Sequence, residues 1–256
     1  MLCVLSPAKK QDFESCETKI TPTQPETKKQ IAELFEVLKN KSASDLKALM
    51  NVSDKIAELN FERYQSFDPK KYNKTNSKAA VLALQGDVYR GLDAASLKKQ
   101  DLDYAQDHLR ILSGLYGCLR PLDYIQPYRL EMKTPLVNPK GKNLYEFWGT
   151  KLSELLNKSL RDHKNPTLIN LASQEYFKAI DKSALSYPVI HIDFKEKKNG
   201  DYKTIGIMAK YARGLMARYL IEHKIDDVEA IKQFNVDKYR FNKKMSSDDK
   251  LVFTRK

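Results

Sequence analysis

Two glycines three residues apart, Gly114 and Gly117, bracket Leu115 and Tyr116, with Arg110, Arg120 and Arg129 nearby in the chain. Glycine accepts positive φ and lets other backbone come close, so this spacing permits a tight turn with exposed main-chain N–H groups. Before the turn, Leu102, Ala105, Leu109 and Leu112 recur at helical spacing, and Asp101 and Asp103 suit a first helical turn. After it, Pro121 suits the start of a second helix, where its missing N–H costs nothing. Amide donors at the corner and the positive end of the second helix would together suit a phosphate.

This order over about residues 101–128 resembles a helix-hairpin-helix. It departs from the usual pattern, in which the glycines flank one apolar residue. The alternative reading is a helix C-cap and a tight turn packed in the core.

Other chemistry is sparser. Asp87, Asp123, Glu131, Glu146 and Glu175 fall in blocks rich in glycine and aromatics. They could converge on a hard cation or handle protons, but pairing with Arg90, Arg110, Arg120 and Arg129 is the favoured reading. Cys118, beside Arg120, reads as a small buried residue rather than a reactive thiol. There is no Gly-x-Ser-x-Gly, no His-Glu-x-x-His and no dinucleotide-binding glycine pattern, so no catalytic residue is assigned. His108, His163, His191 and His223 lack ligand spacing, and Cys3, Cys16 and Cys118 form no Cys-x-x-Cys pair. Neither a metal, a cofactor nor a disulfide framework is expected.

The whole chain is basic. Its 256 residues carry 45 Lys and Arg against 33 Asp and Glu, a formal +12. Such a surface attracts polyanions, although lysine-rich solubilising surfaces look the same in composition. Candidate contacts are Lys9 and Lys10 in a strand-end loop, and Lys210, Arg213 and Arg218 on a helix over Ala209 to His223. No apolar run approaches the roughly 20 residues that span a bilayer. The opening MLCVLSPAKK lacks the basic start and apolar length of a signal peptide. A cytoplasmic monomer is expected.

The elements that must hold these residues alternate along the chain. Leu2 to Leu5 reads as a buried strand, and Asp12 to Thr27 as a polar loop. Ile31, Leu34, Phe35 and Leu38 give one helix an apolar face, and Ser44 and Ser53 are candidate caps for two more. Ala79 to Leu84 reads as a strand, Leu144 to Leu160 as one helix with Trp148 in its apolar face, and Thr167 to Leu171 as a buried strand. Asn170, Ala172, Ser173 and Glu175 follow that strand, where sites in α/β folds commonly lie. Val189 to Glu196 and Tyr202 to Met208 flank Asn199-Gly200, a hairpin signal. Gly214 inside a well-formed helix implies close packing or ligand approach. Tyr239 to Phe241 and Leu251 to Thr254 form a closing hairpin. The expectation is a mixed α/β (α+β) fold: one compact domain over 1–256, with a central mostly buried sheet, surrounding helices and the inserted hairpin.

In order, LSPAKK, LQGDVYRGL, LSGLYGCLRPLDYIQPYRLEM, GKNLYEFWG, INLASQEYFKAI and ARGLMARYLIE resemble the YaaA family of bacterial peroxide-stress proteins across nearly the whole chain. The resemblance implies a cytoplasmic protein that binds DNA through a basic cleft and a helix-hairpin-helix, and that limits iron-linked oxidative damage. On that reading Lys9, Lys10, Arg90, Arg110, Gly114 to Gly117, Arg120, Arg129, Lys210, Arg213 and Arg218 contact the backbone of double-stranded or distorted DNA. The competing readings are an enzyme acting on a nucleotide or modified base in the same cleft, and an iron or redox handler. A deep pocket with carboxylates turned inward favours the enzyme, and an open groove about a duplex wide favours DNA binding.

Overall fold

Every other element is arranged around β1 (Leu2–Leu5), an all-apolar strand with no exposed position. In this computed structural model, which describes residues 1–14 and 20–256, β1 pairs in parallel on both edges. One neighbour is β2 (Leu109–Ser113), which continues into β3 (Gly117–Leu119). The other is β4 (Leu168–Asn170), followed by β5 (Val189–Lys198), β6 (Asp201–Lys203), β7 (Arg240–Phe241) and β8 (Lys250–Arg255). The order across the sheet is β7-β8-β5-β4-β1-β2-β3, with β6 hairpinned onto β5. The five inner strands are mutually parallel, and the antiparallel pairs lie at the margins. Strands covered on both faces need no alternation, which is why LCVL is a continuous apolar run and LIN is buried at every position.

Helices α1 (Lys28–Leu38), α2 (Ala43–Met50), α3 (Asp54–Ser66), α4 (Asp87–Leu92), α5 (Lys99–His108), α6 (Leu144–Trp148), α7 (Lys151–Leu160) and α8 (Gly206–Glu222) surround the sheet. The expected face of α1 is buried, and Asn199-Gly200 turns β5 into β6 with both residues at positive φ. The closing hairpin forms between β7 and β8. Other expectations fail for local reasons. Ala80–Ala83 is a helical turn, not a strand, flanked by two-residue strands that pair with different partners. The expected helix from Leu144 to Leu160 breaks at Gly149, giving α6 and α7. Ser42, not Ser44, caps α2: its Oγ accepts from the Asp45 N–H, and the Asp45 carboxylate accepts from the Ser42 N–H.

The largest correction concerns the glycine corner. The helix ends at His108, and Leu109–Ser113 leaves it as a buried strand against β1. Gly114, Leu115 and Tyr116 then close a β-hairpin onto β3, and no helix begins at Pro121. Leu115 and Tyr116 are wholly buried. The corner's polar groups bond internally: the Tyr116 N–H donates to Ser113 Oγ at 3.1 Å, and the Gly114 carbonyl accepts from Trp148 Nε1 at 3.0 Å. Gly117 adopts φ +70°, and a Cβ there would strike the Trp148 ring at 2.5 Å. Gly114 and Gly117 thus serve packing, and the helix-hairpin-helix is withdrawn. Helical period and apolar continuity coincide in Leu109 to Leu112, and the open edge of β1 decides between them.

α4 and α8 cross in contact at two glycines. A Cβ on Gly214 would lie 1.9 Å from the Val88 carbonyl oxygen, and one on Gly91 2.3 Å from that of Tyr211. The obstacle is backbone in each case, so side-chain rotation gives no relief. Gly214→Ala is therefore expected to destabilise the fold by about 3 kcal/mol in urea denaturation, despite alanine's better helix propensity. A neutral or stabilising effect would refute the close-contact account.

Candidate functional site

The parallel strands β1 and β4 end side by side, and the residues just beyond them line a crevice at the carboxyl end of the sheet. This is where open α/β sheets bind ligands. Ser6, just after β1, accepts a hydrogen bond at Oγ from the Ser173 N–H at 2.9 Å and donates to Ser173 Oγ at 3.2 Å. The Tyr89 hydroxyl donates to the Ser6 carbonyl at 2.9 Å, tying α4 to the same loop. The resulting cavity is about 450 Å³. It is walled by the 6–11 loop, the start of α4, the 128–133 segment, the 171–176 turn and α8.

Six cations and three carboxylates line it: Lys9, Lys10, Arg129, Lys133, Lys210 and Arg213, against Asp87, Glu131 and Glu175. Glu131 is the hub of one wall. Lys9 lies 3.1 Å from it, Arg129 3.2 Å and Lys133 3.8 Å. Glu175 accepts from the Lys133 main-chain N–H at 3.3 Å. Arg213, on α8, is different. Its Nε is buried without a hydrogen-bond partner, as is Arg129 Nε. Burial lowers the Arg213 pKa below the ordinary guanidinium value, while the charge of Asp193 pulls it back up. A guanidinium keeps its charge even so, and an enclosed donor without an acceptor costs about 1–3 kcal/mol. An anionic ligand entering the cavity would supply that acceptor.

The contacts expected from the sequence therefore divide. Lys9, Lys10, Arg129, Lys210 and Arg213 converge on this cavity. Arg90 stays outside it, 3.4 Å from Asp87 and stacked 4.9 Å over the Tyr211 ring. Arg218 caps the end of α4, donating to the carbonyls of Leu92 and Asp93 and to Glu222. Arg110 and Arg120 line a second cavity at the opposite, amino end of the sheet. Arg110 donates to the Gln106 and Leu109 carbonyls and to Ser159. Arg120 grips the fully buried Asp123 at 2.8 Å and donates to the Gln24 carbonyl. Gly114, Leu115, Tyr116 and Gly117 reach neither cavity. Lys133, missed as a contact, directly follows the RLEM block, so its neighbourhood was the available signal.

The carboxylates also sort by place. Asp87, Glu131 and Glu175 face the cleft, Asp123 is consumed by Arg120, and Glu146 accepts from the Lys142 N–H in a loop. Cys118 and Cys3 are buried, and burial pushes both thiols up to about 12. Cys16 lies outside the described residues. Among those residues, no helix is long and apolar enough to cross a membrane.

Two outcomes follow from this sorting. Arg120→Ala leaves the Asp123 carboxylate buried and unpaired, at a cost of about 2–3 kcal/mol after discounting for the partly exposed arginine. Chemical denaturation measures it, and a loss below about 0.5 kcal/mol would contradict the pairing. Thiol mapping after peroxide treatment should find Cys118 and Cys3 unmodified in native protein and modified in urea, because the thiolate is the reactive form. Oxidation of Cys118 in the folded chain would overturn its inert placement.

Comparison with known proteins fits this architecture along its length. A family model described as "Peroxide stress protein YaaA" matches residues 1–245. A UPF0246 protein of Caulobacter vibrioides is 52% identical over 255 residues, covering 100% of this chain and 99% of its own. Another from Francisella philomiragia is 49% identical over 255 residues, with 100% of both chains covered. A third from Bordetella petrii is 52% identical over 256 residues, again with 100% of both covered. With both the family model and these relatives spanning the fold, the chain belongs to the YaaA family of peroxide stress proteins.

Proposed function

We propose that this chain serves the peroxide-stress response by binding DNA at the carboxyl-end cleft, acting as a cytoplasmic monomer. The observation that carries the reading is Arg213, an enclosed guanidinium with a spare donor in a cavity lined by five further cations. A cavity of about 450 Å³ lies within the range of small-molecule sites, roughly 300–1,000 Å³. It suits one phosphate-bearing nucleotide unit. Lys9, Lys10 and Lys210, all exposed, would hold the neighbouring sugar–phosphate chain. Contact of this kind follows the backbone rather than the sequence, and favours DNA distorted enough to release a unit from the stack. Covering DNA in this way would keep iron-driven oxidants from it.

A second reading rests on Glu131 and Glu175. Both carboxylates line the same cavity, which is a pocket of small-molecule size rather than a groove about a duplex wide, and that is the arrangement expected of an enzyme acting on a nucleotide or a modified base.

A salt titration of binding to duplex, single-stranded and branched DNA tests the first reading. Affinity should fall steeply with salt. Arg213→Ala and Lys210→Ala should each flatten the log–log slope by about 0.9 on duplex, the value of one phosphate contact. Arg120→Ala should leave the slope unchanged. Equal affinity and slope in folded Arg213→Ala and Lys210→Ala proteins would refute the proposal. Turnover of a nucleotide that is lost in Glu131→Gln would establish the enzymatic reading in its place.

A further inference from the structure

At the amino end of the sheet, opposite the cleft, three side chains far apart in sequence come together. His108 ends α5, His163 precedes β4 and Asp226 follows α8. One ligating atom from each lies within 4.8 Å of the other two, at the wall of a cavity of about 580 Å³. We propose that His108, His163 and Asp226 form a binding site for a divalent first-row transition metal ion, with its remaining positions open to that cavity.

The second-sphere geometry supports this. His108 Nδ1 donates to the Met1 carbonyl at 2.8 Å, which fixes the ring and leaves Nε2 with a free lone pair. Ligating histidines characteristically tie their other nitrogen to a carbonyl or carboxylate in this way. Tyr104 stacks on the same ring at 3.8 Å and 7°, holding it from the side. His163 meets His108 edge to face at 4.6 Å and turns Nδ1 toward the Met1 nitrogen, 3.1 Å away. That nitrogen also contacts the Asp226 carboxylate, so an ion entering the cluster would displace it or take it as a further ligand.

Three of the cations that line this cavity are occupied. Arg110 is spent on carbonyls and Ser159, Arg120 on Asp123, and Lys158 on Glu26 at 3.3 Å. A tetrahedral ion with bonds of about 2.0–2.2 Å sets its ligand atoms about 3.4 Å apart, so side-chain shifts of about an ångström would close the site. Two imidazoles and one carboxylate with open positions suit Zn²⁺, Co²⁺ or Fe²⁺ rather than Mg²⁺ or Ca²⁺, which prefer oxygen. Sequence spacing gave no hint of the cluster, because only the fold brings its members together.

Titrating metal-stripped full-length protein with Zn²⁺, followed by calorimetry, tests the proposal. Co²⁺ serves as a second probe through its visible absorption. The expected result is one ion per chain, with affinity reduced at least tenfold in His163→Ala and in Asp226→Asn. His223→Ala, an exposed histidine outside the cluster, should bind as the native chain does. Asp226→Asn preserves side-chain volume, so it reports on ligation even if a histidine variant folds poorly. Absence of Zn²⁺ binding in the native chain would overturn the proposal. So would affinity and a Co²⁺ spectrum that survive Asp226→Asn and His163→Ala together.

Discussion

The contact between α4 and α8 is the constraint on which the cleft depends. Two helices approach until backbone meets backbone, because Gly91 and Gly214 have no Cβ to hold them apart. That approach brings Lys210 and Arg213 to the wall where α4 presents Asp87 and where Tyr89 ties Ser6. The cavity is therefore not merely a space left between strand ends. One wall is a helix that must lie deep, and its depth is set by two missing methyl groups. Gly214 costs about 1 kcal/mol of helix propensity against alanine, and the fold recovers this through packing no other residue permits.

Burying Arg213 opposes stability in the unliganded protein. The guanidinium loses hydration and, at Nε, finds no acceptor. Asp193 offsets part of the lost hydration, while Glu131 is already shared by Lys9, Arg129 and Lys133. A site that leaves a strong donor unsatisfied binds its acceptor with less to displace, because no internal hydrogen bond must first be broken. The shared Glu131 has the complementary effect. It spaces the basic side chains and keeps the wall from repelling itself apart, while leaving an excess of positive charge. Local strain of this kind is what a packed core excludes and a binding site retains.

What the sequence made legible follows from how local each signal is. β1 was legible because four consecutive apolar residues before Ser-Pro have no amphipathic alternative. The turn at Asn199-Gly200 and the face of α1 are likewise local. The cleft was partly legible: Lys9 and Lys10 follow a strand end, and Lys210 and Arg213 share a helix, so their convergence needed only the parallel topology. The glycine corner was not. Leu109 to Leu112 satisfies a helix and a buried strand equally, and the choice lies with β1, a hundred residues away in the chain. Arg110 and Arg120 were misplaced for the same reason. Once the segment is a strand paired with β1, they turn to the amino end, where Ser159 holds Arg110 and Asp123, three residues on, holds Arg120.

The two ends of the sheet consequently carry different chemistry with little cross-talk. β1 is four residues long, about 13 Å at the usual strand rise, and separates the carboxyl-end cleft from the amino-end cluster. That distance exceeds the Debye length of about 8 Å at physiological ionic strength, although low-dielectric protein between the ends weakens the screening. Charge placed at one end should therefore alter ligand affinity at the other only modestly. The remaining route is mechanical, through β1 itself, which follows directly on the Met1 carbonyl that orients His108 and leads at its other end into Ser6. A strand buried on both faces and bonded on both edges is among the stiffest elements a fold contains, because moving it disrupts two ladders at once. Any communication between the proposed cleft and the proposed cluster has to work against that stiffness, so the architecture favours their independence over regulation of one by the other.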